Sequence, residues 1–439
     1  MSPVPMRTVV LLAFLLAGAL PVHAQVSLQD VYRSALSTNK GLKSEQYTYK
    51  AEKAKVSEAW GKVLPQASAT ASYGTSEYTR DFDTRSSISE TDTFTRADVQ
   101  VNQVIYSQET FKSIERAQAR AERAEATLDG RQLKIGYQAI EAYLKANRIR
   151  NEIEVVEESL ASHERRLSQV ESKRERGLAT RSEELDARAR MDEVRADLSA
   201  LKHDHQAALD NLESISGINL KGQRLAPVSV AFWRQTPELL GKDWERIARS
   251  NSAELKKVRK KLEVAAATRE QNAAAHWPEL HLNAQYTHND TFATTLREEL
   301  KAELQLKVPL YSGGSTSARA RAAGRREEAA RYQLQNTENQ IQVEVSRLTQ
   351  KLQGTYQKIK ALETAESSAS AALKAAQQGF RSGVRSLNEL LDSRNRVTDL
   401  KRSMIEQTHK NAMRQFELRQ RAGTLSVQSL PGLIENPQN

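Results

Sequence analysis

At 439 residues the chain is long enough for two or three ordinary domains, yet aromatic residues make up only 5% and charged residues 27%, with long runs of Ala, Glu, Gln, Lys, Arg and Leu. That balance excludes the large core of a globular enzyme and points to long helices or coiled coil. Cysteine is absent, which excludes disulfide scaffolds, thiol catalysis and Cys-ligated metals, and the net charge of +10 comes from Lys and Arg interleaved with Asp and Glu, the pattern of a solvated face and not of a nucleic-acid surface.

Residues 1–24 read as a secretory signal peptide. Arg7 is the only charge, Val9 to Leu20 is an unbroken apolar or small run, and Val22-His23-Ala24 offers small residues for cleavage before Gln25. The run of about 12 residues falls short of the roughly 20 that a membrane span requires. No Cys follows to carry a lipid, and removing Arg7 lowers the net charge to +9.

Ser27-Leu28-Gln29-Asp30 has capping-box form, so a helix is expected from Ser27 to about Lys62, stopped at Leu64-Pro65. The period then becomes two. Ala67, Ala69, Ala71 and Tyr73 alternate with Ser68, Thr70 and Ser72; a polar stretch from Arg80 to Asp92 reads as a loop; Ala97, Val99 and Val101 alternate with Arg96, Asp98, Gln100 and Asn102. The event recurs after Trp277-Pro278. Leu280, Leu282, Ala284 and Tyr286 alternate with His281, Asn283, Gln285 and Thr287, and a return strand runs from Leu300 to Leu310 with Lys301, Glu303, Gln305 and Lys307 on its other face. One aliphatic and one wet face suit a membrane barrel. Four strands cannot close one, so several chains must contribute.

Val104-Ile105-Tyr106-Ser107 and Pro309-Leu310-Tyr311-Ser312 end the two hairpins, and a long helix follows each. In the first, Leu128, Ile135, Ala142, Ile149, Val156 and Val170 recur every seven residues, with His163 the polar member. Leu334, Ile341, Leu348, Leu362, Ala369 and Ala376 mark the second. The stretch from Ser107 to Arg176 would span roughly 100 Å, far more than a bilayer core, so it must project into an aqueous space. Returning helices carry Val194, Leu201, Ala208 and Ile215, then Leu390, Val397, Met404 and Leu418 with Asn411 as the exception.

Between each long helix and its return lies a glycine turn: GLATRSEELDAR from Gly177 and GVRSLNELLDSR from Gly383, 206 residues apart. The chain is therefore read as built twice: residues 25–235 as a first repeat (hairpin about 66–106), residues 236–423 as a second (hairpin about 279–311), and 424–439 as a polar tail. A Gly- and Pro-bearing segment from about Ser216 to Pro237 joins the halves. The fold class is mainly α with a membrane β-barrel part. Glu183, Arg385, Glu389 and Asp392 fall at or just after the two turns, where a channel could close on itself.

This order resembles the TolC-like outer-membrane channel family. LPQASATASY, HWPELHLNAQY, KVPLYSGG, RERGLATRSEELDARA, FRSGVRSLNELLDSRN and RAGTL carry the likeness across nearly all of the mature chain. The resemblance implies a homotrimer with a 12-stranded barrel in the outer membrane and a helical tunnel in the periplasm, docking onto an adaptor protein and an inner-membrane pump. It places Arg385 at the position of a latch arginine and Glu183 at that of its acidic partner. Glu389 and Asp392 occupy acidic ring positions, with Gly177, Ser182, Phe380 and Gly383 beside them. Three carboxylates converging on an axis repel one another and attract cations. Two departures stand out: Phe380 replaces a tyrosine, so that latch hydrogen bond cannot form, and Glu183 and Glu389 replace shorter acids. The plainer reading of all four charges is solvated helix surface.

No cofactor or metal is expected. His203 and His205 point about 200° apart on a helix, His281 alternates to the polar strand face, and Gly313-Gly314 lacks the P-loop lysine. No catalytic set is visible, so an enzyme is set aside. The chain reads as a passive exit duct bound for the outer membrane and its lipid, serving either ABC-driven type I protein secretion, the favoured reading, or a proton-driven multidrug efflux pump. A periplasmic coiled-coil scaffold is the alternative of another class.

Overall fold

The computed structural model describes residues 25–82, 86–291 and 294–427. The signal-peptide reading for residues 1–24, and most of the tail, lie outside these.

Helix α1 (Leu28–Thr38) opens on the expected capping box: the Ser27 hydroxyl accepts from the Asp30 amide and the Asp30 carboxylate accepts from the Ser27 amide, each at 3.2 Å. The single helix expected to Lys62 is broken. Asn39 leaves helical geometry (ψ 119°), ends α1 through its N–H and starts α2 (Lys40–Gly61) by accepting from the Leu42 amide at 3.0 Å. A short amide side chain that bonds its own backbone competes with helix continuation.

Strands β1 (Gln66–Phe82), β2 (Ser86–Ser107), β3 (Glu279–Thr291) and β4 (Thr294–Lys307) form one antiparallel sheet in that order. Its register aligns Ala69, Val99, Tyr286 and Leu300 in one row and Thr70, Asp98, Thr287 and Glu299 in the next. The faces therefore segregate as the alternation predicts. The apolar face is uncovered, with Leu300 79% and Leu304 64% exposed. Two expectations need correction. The polar stretch from Arg80 to Asp92 is not all loop, because the ladder continues to Phe82 and resumes at Ser86, backbone pairing needing no apolar side chain. The last strand stops at Lys307 and not near Leu310, because Pro309 has no N–H for the ladder.

Helix α3 (Gln108–Glu175) has 68 residues and α8 (Ser315–Arg381) has 67; α4 (Arg181–Ser216) has 36 and α9 (Leu387–Arg421) has 35. Near the sheet, α3 packs between α2 and α7 (Ala253–Ala274), and α7 on α8; further along, α3 packs against α4 and α9, and α9 on α8. Lys112–Glu270, Lys260–Glu122 and Lys256–Asp129 tie α3 to α7. Every heptad position read on α3 from Leu128 to Val170, His163 included, is buried, and so are Ile341, Leu348, Ala369 and Ala376 on α8. On α4 the deeper row differs from the one read. Met191, Leu198 and Leu212 are buried, whereas of the row read only Ala208 is buried and Val194, Leu201 and Ile215 are half-buried. A seam has two rows three residues apart, and the pattern of apolar letters does not say which lies deeper.

A 3₁₀ turn (Val230–Gln235), α5 (Thr236–Leu240) and α6 (Trp244–Asn251) wrap the middle of the helical layer. There Val26 forms a parallel bridge with Leu225, and the buried Tyr143 hydroxyl faces the carbonyls of both Val26 (3.1 Å) and Ala226 (2.8 Å). Ile140, Leu212, Phe232 and Phe416 pack around it.

Candidate functional site

The two glycine turns lie at the ends of α3 and α8 remote from the sheet. Gly177 (φ +73°) and Gly383 (φ +77°) adopt the left-handed conformation that ends a helix, with Leu178 N–H returning to the Lys173 carbonyl and Val384 N–H to that of Gly379, both at 2.8 Å. The next helices start from equivalent caps. Thr180 accepts from the Glu183 amide and Ser386 from the Glu389 amide, each at 3.2 Å.

Glu183 completes a capping box, its carboxylate accepting from Thr180 N–H (2.7 Å) and hydroxyl (3.0 Å). These bonds, helped by the nearby Lys173 and Arg166, hold its carboxyl below the usual glutamate range. Arg385 does not meet Glu183 within the chain. Its guanidinium lies 3.9 Å from Glu389 with both side chains about half exposed, and its stem covers Gly379. Asp392 and Ser182 are exposed on their helices. The structure thus brings Arg385 and Glu389 together on one turn and leaves Glu183 on the other.

Two features at the tip escaped the reading of the sequence. Val170, Ala187 and Leu391 form a small apolar cluster joining α3, α4 and α9, with Leu167, Ala179 and Phe380 packed on it. Val170 ended the heptad row, which was the available signal. The second is Glu184, only 3% exposed and ion-paired with Arg174, Arg181 (2.8 Å) and Arg188 (3.5 Å), while Arg188 also reaches Glu171 at 2.9 Å. Arg181 and Arg188 stand three and four residues from it, the spacing of helix-surface pairs. Nothing in the letters says that this acid is buried and its neighbours are not.

Among the described residues no cluster of His, Asp and Glu could hold a metal ion, and no helix is long and apolar enough to cross a membrane. The uncovered apolar face belongs to the sheet.

The family model described as "Outer membrane efflux protein" matches residues 31–218 and 244–424. Outer membrane protein TolC of Vibrio cholerae serotype O1 is 25% identical over 424 residues, 92% of each chain. The alkaline protease secretion protein AprF of Pseudomonas aeruginosa is 26% identical over 303 residues, 67% of this chain and 62% of that one. Among solved structures, the outer membrane protein VceC of Vibrio cholerae superposes with a TM-score of 0.76 at 17% identity, covering 90% of this chain and 96% of that one, a likeness of fold. With four strands leading into projecting helices and a match along both halves, this chain is an outer-membrane channel protein, not an enzyme, and belongs to the outer membrane efflux protein family.

Proposed function

We propose that the chain is the exit duct of a tripartite export system and that its system is type I, ABC-driven protein secretion. The observation that carries the choice is its likeness in sequence to a protein named for the secretion of an alkaline protease. The duct is a homotrimer. The sheet has two open edges, β1 and β4, and one apolar face, so three copies give twelve strands, an even number that closes a barrel without an edge in lipid. From that barrel α3, at 68 residues, reaches roughly 100 Å into the periplasm. There the turns meet an adaptor protein and the inner-membrane transporter.

In this reading residues 1–24 direct export, 25–235 and 236–423 are the two repeats, and 424–439 form a tail. Glu183, Arg385, Glu389 and Asp392 surround the periplasmic aperture, with Gly177, Ser182, Phe380 and Gly383 next to them. Because, among the described residues, Arg385 pairs only with the exposed Glu389, it is available to a neighbouring copy. The description of the family as efflux proteins favours the second reading, a proton-driven multidrug pump.

A photoreactive residue at Ser182 or Ser386, followed by crosslinking in cells and mass spectrometry, separates the two. Capture of an adaptor with an ABC exporter is the expected result. An adaptor with a proton-driven drug pump would replace secretion by efflux, and capture of neither would remove the duct reading.

A further inference from the structure

Phe380 lies in the last turn of α8, packed against the apolar cluster of Val170, Ala187 and Leu391. What surrounds its ring is not only apolar. The Arg166 guanidinium lies 4.2 Å from the ring centroid and the Lys173 ammonium 4.9 Å. Both come from α3, seven residues and about 10 Å apart along the helix, so the ring of α8 meets two cations of a different helix. The quadrupole of an aromatic face attracts a cation at this range, more strongly when the cation has lost water. Arg166 meets that condition. It is half-buried, its Nη1 donates to Gln169 at 3.0 Å, and its Nε is buried without a hydrogen-bond partner. Glu183 hydrogen-bonds to the Thr180 cap and reaches Arg166 and Lys173 only through space.

Resting on the duct reading above, we infer that Phe380, held by Arg166 and Lys173, is the clamp that fastens the tip of the α8–α9 hairpin to α3 and keeps the aperture narrow. Two like charges two turns apart would gain nothing from each other, and the ring satisfies both at once. The contact needs no hydroxyl, which accounts for a phenylalanine where a hydrogen-bonding latch is unavailable. It also couples the halves of the chain, since Phe380 follows the second hairpin and its cations follow the first. The clamp holds in the dry cluster and weakens when a partner pulls α8 away and water reaches Arg166.

The test keeps the shape of the ring and drains its face. The full-length protein carries phenylalanine, then mono-, di- and trifluorophenylalanine at position 380, and single-channel conductance in planar bilayers is read. Fluorine withdraws electron density from the ring face and changes its volume little, so conductance is expected to rise stepwise, by several-fold at trifluoro. In the double variant Arg166→Gln, Lys173→Gln the same series is expected to be flat. Unchanged conductance through trifluoro, with Phe380→Ala still leaking, would reduce the contact to packing and overturn the clamp alone. A native protein that forms no channel would overturn the duct reading with it.

Discussion

Gly423, in the RAGTL segment, offers a quantitative test of how the end of α9 is fastened to the start of its own half of the chain. It has φ +73° just past α9, and a Cβ added there would collide with the backbone carbonyl of Asn251, at the break between α6 and α7. Gly423→Ala therefore incurs two separate costs. A non-glycine residue in the left-handed region loses about 1–2 kcal/mol. A methyl forced against a carbonyl that cannot rotate away adds an overpacking cost of about 1–3 kcal/mol. Gly177 and Gly383 supply the control: their φ values of +73° and +77° match, but nothing lies within 4 Å of the added methyl. Alanine there should cost only the first part. The readout is hydrogen exchange of the Thr424 amide, which donates to the Arg419 carbonyl at 2.8 Å, and of the Leu178 and Val384 amides beside the tip glycines. At about 1.4 kcal/mol per tenfold, Gly423→Ala should speed local opening by roughly 30-fold to 3,000-fold, and either control by about 5-fold to 30-fold. Equal acceleration at all three sites would refute the backbone collision.

Burial, reinforced by Arg148 and Lys410, pushes His409 down to about 4, so the unfolded chain takes up this proton before the folded one. Stability from the neutral form is present above about pH 6.5 and lost as the pH falls from there to about 4, by about 2–3 kcal/mol; His409→Gln should flatten the denaturation midpoint across that window. Arg385→Ser is expected to raise single-channel conductance. The exposed pair with Glu389 is worth less than about 1 kcal/mol, so a large rise would place the lost contact between copies, and unchanged conductance would end the latch role of Arg385.

Much of this fold is legible in the letters because long-period signals average over many residues. Seven successive heptad positions from Leu128 to Val170 are all buried, and the alternation in β1 to β4 gives the observed faces. What could not be read depends on single residues or on partners distant in sequence. Asn39 looks like any polar helix residue until its side chain is seen capping α2. Glu184 carries the same letter as Glu183 beside it, yet one is buried among arginines and the other caps a helix. At the tip the caps were implicit in Thr180-x-x-Glu183 and Ser386-x-x-Glu389, whereas the approach of Phe380 to Arg166 and Lys173 joins residues about 200 positions apart. No local pattern encodes such a contact.

The near-equal lengths of α3 and α8, and of α4 and α9, make the helices a pair of matched rulers. Each begins at the sheet and measures the same distance to its turn, so the two tips arrive level. A heptad added to α3 and α4 alone would keep every seam in register and still carry one tip about 10 Å past the other. Phe380 would then face a different turn of α3. Evolution of reach in such a chain is confined to steps taken in all four helices together, and a change of partner at a different depth cannot be met by one insertion.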